Sequence, residues 1–343
     1  MATQQSDGGV RFSVAHDLQQ YRLLELPAEL LELIDAANPP LLSIKSAAPG
    51  APSAKPAYAV LCTPNKTYQL RQVQTSNSLF VAQPVLEAHG NEEIPAPTTR
   101  AVASCTATLE LHPADTPPDA FLEEVLPVYD IVDKEVDATG NGKSKAVVLA
   151  DIPLSEGQCE QAWKELMAFE FAGSSYRPSA NTLVQVWKSI HDAALAEGIK
   201  LDQQFLTDTL LSALDDEGYP PSLIVAVLTG LATAEQDPAG SWSCLDRSRA
   251  VHFVGTTLLE AKRGGADYLT AEFLDTWREH VPDAWQRDAE LAAIEGLYEL
   301  PTSTTVAIRG GIASTTKTAA ATAKPGSSSS RKWHEKFGRA RQR

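Results

Sequence analysis

The sequence predicts an α+β chain: a β-rich amino-terminal domain, two winged helices in tandem, and a basic tail. Three observations carry that expectation. Apolar and polar residues alternate with the period of a strand in segments as far as Val132. From Pro153 to Leu297 apolar residues recur at three- and four-residue spacing, the stripe of a helix lying on a core. The last 33 residues carry 8 basic side chains against 1 acidic and almost nothing that could be buried.

The elements follow in order. Residues 1–19 read as a flexible amino terminus. Tyr21–Leu26 reads as a strand and Pro27 opens a short helix, with Leu30, Leu31 and Ile34 on its inner side; Asn38, Pro39 and Pro40 end it. Leu41–Ser46 is a second strand. A loop rich in Pro, Ala, Ser and Gly leads to a hairpin in which Tyr58, Val60 and Cys62 face one way and Ala59, Leu61 and Thr63 the other, with Pro64–Lys66 as its turn. SCTATLEL (104–111) and VLPVYDIV (125–132) suggest a further strand pair. The segment DATGNGKSK lacks a glycine six places before Lys143 and reads as a connector, not a phosphate loop.

In the second half, Asn181 is expected to cap a helix carrying Leu183, Val186, Trp187, Ile190 and Ala194. A helix from Asp202 toward Leu214, the apolar helix PPSLIVAVLTGLA and a strand at Ser241–Asp246 complete a first winged helix. Val251, Val254, Leu258 and Ala261 line the next helix, which stops at Lys262–Gly265. Thr270 is the expected N-cap of another, with Leu269 and Leu274 as a hydrophobic staple and Phe273, Leu274 and Trp277 buried. A helix over DAWQRDAELAAIEGL and a hairpin with Pro301–Thr304 at its tip complete a second winged helix. The expected domains are thus 20–149, 150–247 and 248–309, with a disordered basic tail over 310–343.

Composition bounds the function. With 43% hydrophobic and 21% charged residues the chain has the make-up of a soluble globular protein, and no apolar run reaches the length of a membrane span, so no membrane is expected among its partners. The amino terminus has no apolar signal block, which points to cytosol or nucleus and leaves the Asn65-Lys66-Thr67 triplet unglycosylated. Residues 1–149 carry 10 basic and 18 acidic side chains and residues 150–310 carry 11 and 25, so an acidic body of net charge near −8 and −14 ends in a tail near +7. Such a body repels phosphates unless its cations cluster.

Chemistry-bearing residues give no site. Cys62, Cys105, Cys159 and Cys244 lack any paired zinc spacing and the seven histidines form no ligand motif; neither metal nor cofactor is expected. His191 and Asp192 are helix neighbours that point about 100° apart. Glu123 with Glu124, and Asp215 with Asp216 and Glu217, have no calcium-loop spacing. The chain reads as no enzyme.

Taken in order, LLELPAELL (23–31), AVLCT followed by KTYQLRQVQTSNSL (59–79), VYDIV (128–132), LDTWREHVP and ELAAIEGLYEL resemble the defective-in-sister-chromatid-cohesion family over residues 20–310. The resemblance implies a non-catalytic subunit of an alternative replication-factor-C clamp loader. There it would form an interlocked β-barrel module with the small subunit and with the carboxyl terminus of the large ATPase subunit, as a hetero-oligomer. It would serve the sliding clamp indirectly, its winged helices would engage DNA polymerase epsilon and contact DNA, and it would act in the nucleus. Longer relatives carry a third winged helix, whereas SRKWHEKFGRARQR corresponds only to its opening segment.

A hairpin whose edge lacks a partner in its own chain is a template for another chain. On that reading Tyr68, Leu70 and Val73 help bury the shared barrel, and Arg71 and Asn77 hydrogen-bond near its rim; the competing reading gives all five to an intramolecular sheet. Arg247, Arg249, Lys262 and Arg263 form the best basic cluster of the body, against DNA or an acidic partner, or are simply solvated cations at helix ends. Lys332, Lys336, Arg339, Arg341 and Arg343, with Trp333, suit an import signal or phosphate neutralisation with base stacking. The rival function is a stand-alone winged-helix transcription regulator, which the apolar PPSLIVAVLTGLA disfavours because it cannot read base edges; an unrecognised hydrolase would need a deep polar pocket.

Overall fold

Strand alternation in the amino-terminal third builds one six-stranded sheet. The computed structural model describes residues 11–46, 59–88, 94–114, 117–131, 142–233, 241–265 and 268–309. The sheet comprises β1 (Arg11–Gln19), β2 (Leu23–Leu24), β3 (Ser43–Ser46), β4 (Ala59–Cys62), β5 (Thr67–Glu87) and β6 (Ala96–Pro113) in the order β1-β6-β5-β4-β3, with β2 also on β6. It curls into half a barrel. Arg11–Gln19 is therefore a strand lying parallel to β6, where a flexible terminus is expected from the sequence.

The helix α1 (Ala28–Ile34) follows Pro27 as expected but turns differently. Leu30 is buried with Leu61, Tyr68 and Leu111, and Leu26 and Leu33 pack beside it. Leu31 and Ile34 are exposed, because the sheet meets the Leu26–Leu30–Leu33 side. The strand expected at Tyr21–Leu26 shrinks to β2. Thr63 and Lys66 close the β4–β5 turn through a Thr63 N–H to Lys66 carbonyl bond of 2.9 Å. SCTATLEL lies in β6, but its partners are β5 and β2; VLPVYDIV instead contributes the end of α2 (Pro118–Val125) and the two-residue β7 (Val128–Tyr129). Leu122 of α2 and Leu126 just after it are buried in one cluster with Val148 and Leu154.

Past this sheet the chain is less uniformly helical than the periodicity suggests. α3 (Lys145–Asp151) and α4 (Glu156–Glu165) pack on α2 around Leu122, Val148 and Trp163. β8 (Phe169–Phe171) and β9 (Ser174–Pro178) then form a hairpin, and β7 runs parallel to β9 on its other side. The two-residue loop has Ala172 at φ 49° and Gly173 at φ 79°, the pair of left-handed residues that a tight hairpin demands. α5 (Ala180–Ala196) is capped by Ser179, whose hydroxyl accepts the Thr182 N–H, not by Asn181; Val186, Trp187, Ile190 and Ala194 are buried as the stripe requires.

β10 (Phe205–Leu206) precedes α6 (Thr207–Ala213), so the helix expected from Asp202 begins later; α7 (Pro221–Leu231) follows, and β11 (Trp242–Ser243) pairs back on β10. α8 (Arg247–Ala261) is capped by Asp246. β12 (Tyr268–Leu269) leads into α9 (Thr270–Glu279), where Thr270 is the first helical residue and makes no cap, and Leu269 is too exposed to act as a staple. DAWQRDAELAAIEGL is two 3-10 stretches, Asp283–Asp288 and Leu291–Ile294, anchored by buried Trp285 and Ile294. β13 (Tyr298–Thr302) and β14 (Thr305–Ile308) form the expected hairpin and β12 joins it.

One apolar core runs from Tyr129 to Val306 and takes residues from both sides of the boundary expected at 247/248. Its tightest point is the crossing of α8 and α9: Trp277 donates to the Val251 carbonyl at 3.0 Å, and a Cβ on Gly255 would lie 2.5 Å from the indole ring. A polar clasp joins sheet to helices. Thr67 Oγ1 accepts from the Ser155 N–H (2.7 Å) and donates to Gln158 Oε1 (2.6 Å), the Gly157 N–H donates to the Pro64 carbonyl (2.8 Å), and Lys45 Nζ donates to the Leu154 carbonyl (2.9 Å).

Two substitutions test this packing by chemical denaturation. Ala172→Gly relieves a left-handed alanine and is expected to raise stability by about 1 kcal/mol. Gly255→Ala drives a methyl into the Trp277 ring and is expected to cost about 1–3 kcal/mol.

Candidate interaction surface

β5 is 21 residues long, a contour of about 70 Å where strands most often run about 20 Å. One edge is paired with β6 from Tyr68 to Glu87. Among the described residues the other meets β4 at Thr67, Tyr68 and Gln69. Between Leu70 and Leu86 that edge has no ladder partner among the described residues. Register shifts at Gln74/Leu79 and Val81/Ala82 bend the ribbon.

The end of the ribbon is sharply two-faced. Residues directly opposite in register share a face, so Phe12 and Val14 of β1, Thr99 and Ala101 of β6, and Pro84 and Leu86 of β5 lie together. Ala101 is wholly buried in the floor, whereas Phe12 (57% exposed), Val14 (56%) and Leu86 (73%) stand uncovered. The opposite face is polar and satisfied: Glu87 accepts from Ser13 Oγ at 2.6 Å and pairs with Arg100. An uncovered apolar sheet face beside an open backbone edge is the signature of a surface that another chain completes.

The five residues nominated on β5 divide by strand parity. Tyr68 is buried against α1, and its hydroxyl donates to Glu29 Oε1 at 2.6 Å; burial first, and then that bond, push its pKa up to about 12. Leu70 packs on the same cluster. Both therefore serve this chain's own core. Val73 is partly exposed on the other face together with Arg71, whose guanidinium donates to Gln69 Oε1 at 3.2 Å; a period of two cannot set Val73 beside Tyr68 and Leu70. The Asn77 side chain lies outside the described residues. Phe12, Val14 and Leu86 were missed, although the alternation in RFSVAHDLQ is a readable signal for the first two.

The basic cluster of the body does not assemble. Arg247 and Arg249 sit at the start of α8 and Lys262 and Arg263 at its end, about 22 Å apart. Arg247 Nε donates to Asp288 Oδ2 at 2.5 Å, Arg263 pairs with Glu260 at 2.6 Å, and Lys262 lies 5.0 Å over the Tyr268 ring. Lys332, Lys336, Arg339, Arg341 and Arg343 lie outside the described residues.

Nothing among the described residues gathers reactive groups. No three His, Cys, Asp or Glu side chains converge. Burial pushes the Cys62 thiol up and that of Cys159 to about 11, which keeps both protonated. His191 lies 3.7 Å from Asp192, beyond hydrogen-bond reach. No helix among the described residues is long and apolar enough to cross a membrane.

Comparison with known proteins adds one finding: the family described as sister chromatid cohesion protein Dcc1 matches residues 21–310. No curated protein matches the chain.

Two measurements check this assignment of residues. Tyr68→Ala is expected to destabilise the isolated chain by about 3 kcal/mol, the cost of emptying an aromatic site, while Val73→Asp leaves its unfolding midpoint nearly unchanged. Burial lowers the pKa of His191 and of His252 below the unfolded 6.5. Their neutral forms are favoured in the fold, so stability is full above that value and declines as pH falls through it. Denaturation at pH 7 and pH 5 should show that decline flattened in a His191→Gln, His252→Gln double variant.

Proposed function

Because the chain belongs to the family of the sister chromatid cohesion protein Dcc1, and its role accordingly lies in sister chromatid cohesion, we propose that it acts as a non-catalytic subunit of an alternative replication-factor-C clamp loader. The β-rich part, residues 20–149, is the assembly domain, together with the added strand β1. It forms a shared β-barrel with the small subunit and with the carboxyl-terminal segment of the large ATPase subunit. The observation that carries this reading is the edge of β5, unpaired among the described residues, beside the exposed Phe12–Val14–Leu86 face.

The helical part links clamp loading to DNA polymerase epsilon in the nucleus. α5–α7 with β10 and β11, and α8–α9 with the β12–β14 hairpin sheet, support a reading as two winged helices. Their recognition-helix candidates favour protein over DNA: α7 carries no charged residue, and DAWQRDAELAAIEGL offers Arg287 and Gln286 against four acids. DNA contact is left to the carboxyl-terminal cations. The same two features speak against a stand-alone transcription regulator.

Co-expression with the small subunit and the carboxyl-terminal segment of the large subunit tests the proposal by size-exclusion chromatography. The wild-type chain is expected to co-elute with both, and a Val14→Asp, Leu86→Asp double variant to elute alone while keeping its circular dichroism. Undiminished assembly of that folded variant, or failure of the wild type to join the two subunits, would overturn it.

A further inference from the structure

Between α4 and α7 the surface opens into a groove of about 650 Å³, a volume within the range of natural binding clefts. One wall is the α4 face that carries Gly157, Glu160, Gln161 and Lys164; the other is the α7 face that carries Ser222, Val225, Ala226 and Thr229. Both sets recur at three- and four-residue spacing, so each wall presents about two turns of one helix face. Buried Met167 and Phe169 form the floor. The walls are open to solvent: Val225 is 40% exposed, and Glu160 and Gln161 are exposed too. At one end Gly230 lets α7 come close to the turn after α4, where a Cβ would lie 3.0 Å from the Met167 side chain.

The polar groups at the Ser222 end are committed. Ser222 Oγ donates to the Glu170 carbonyl at 2.6 Å, and the Lys145 N–H donates to the Glu170 carboxylate at 2.8 Å. Lys145 Nζ pairs with Glu160 at 2.7 Å and lies 5.1 Å over the Trp163 ring. Lys164 differs: it lines the groove, and its ammonium makes no ion pair and no hydrogen bond among the described residues. α7, across from it, carries no charged residue. In a chain with an excess of acids, the groove thus offers one uncommitted positive charge beside an uncharged, partly exposed helix face. Because the outward carbonyl at Glu170 of β8 is taken by Ser222, a strand would find no acceptor there, whereas a helix arrives with its own backbone bonds made.

We infer that this groove is a docking site for an amphipathic helix of a partner protein, with the apolar stripe of that helix on Val225 and Ala226 and a carboxylate on Lys164. The short side chains of α7 let a further helix approach at ordinary packing distance, and the partly exposed ion pair adds selectivity more than strength. The site is separate from the β5 edge and is present in the chain alone.

The probe is the fluorescein-labelled peptide Ala-Glu-Leu-Ala-Lys-Leu-Leu-Ala-Glu-Leu-Ala-Lys-Ala-amide, which as a helix sets its leucines on one face and its glutamates along one flank, added to the isolated full chain and followed by anisotropy. Saturable binding with Kd below about 1 mM is expected. Val225→Asp should weaken it at least about tenfold with circular dichroism unchanged. Lys164→Gln and the Gln-for-Glu peptide should each weaken it about threefold, and the two together no more than either alone, because both remove the same ion pair. Absence of saturation, unchanged binding to folded Val225→Asp, or additive losses at Lys164 and the peptide glutamates would overturn the inference. So would loss of binding in the Val14→Asp, Leu86→Asp variant, which would place the peptide on the sheet, or self-association of the chain that Val225→Asp abolishes, which would give the groove to a second copy. The Lys164 comparison decides the matter should Val225→Asp fail to fold.

Discussion

A strand's backbone donors and acceptors must be paired on both sides or left to water, and among the described residues β5 meets that demand on only one side for most of its length. Among the described residues β4 supplies four residues, whereas β5 runs for 21. Everything characteristic of the amino-terminal part follows from this mismatch. The ribbon runs past the residues that pack on α1, and Phe12, Val14 and Leu86 stay exposed, with no helix covering them among the described residues. Proteins that keep such an edge to themselves blunt it with lysines or short strands. Between Leu70 and Leu86 there is a single cation, Arg71.

The root of the same strand is fixed as firmly as its far end is open. Thr67 both accepts and donates across the Ser155–Gln158 turn, and Gly157 leaves no room for a side chain, since a Cβ would lie 2.5 Å from Asn65 Oδ1. The base of β5 is thereby set against the start of α4. The helices beyond are in turn locked together by a single core in which Trp187, Trp277 and Trp285 are buried. Sheet completion and helix orientation are thereby connected within one chain, which suits a subunit that joins assemblies.

What the sequence made legible was governed by how local the determining interactions are. The α5 stripe, the apolar α7 and the β13–β14 hairpin were readable because period and turn residues are set within a few positions. Caps failed at Asn181 and Thr270, since the capping choice between Ser179 and Asn181 depends on where the chain enters the helix, and β12 pulls Thr270 past the cap position. DAWQRDAELAAIEGL has helical spacing, yet Trp285 and Ile294 are each drawn into the core from a 3-10 turn. At the interaction surface the open edge was legible from the polar run of β5. Its inner and outer residues were not, because α1 settles which parity is core, and α1 is distant in sequence. The separation of Arg247 and Arg249 from Lys262 and Arg263 follows from the helix that the Val251–Ala261 stripe already marks between them.

Amide hydrogen exchange along β5 tests the central claim most directly, read first in the isolated chain and then in the reconstituted complex with both clamp-loader subunits. The account predicts that alternate amides between Leu70 and Leu86 exchange quickly when the chain is alone, while those bonded to β6 exchange slowly, and that the fast set becomes protected in the complex. Uniformly slow exchange in the isolated chain, or a fast set that stays fast in the complex, would contradict it.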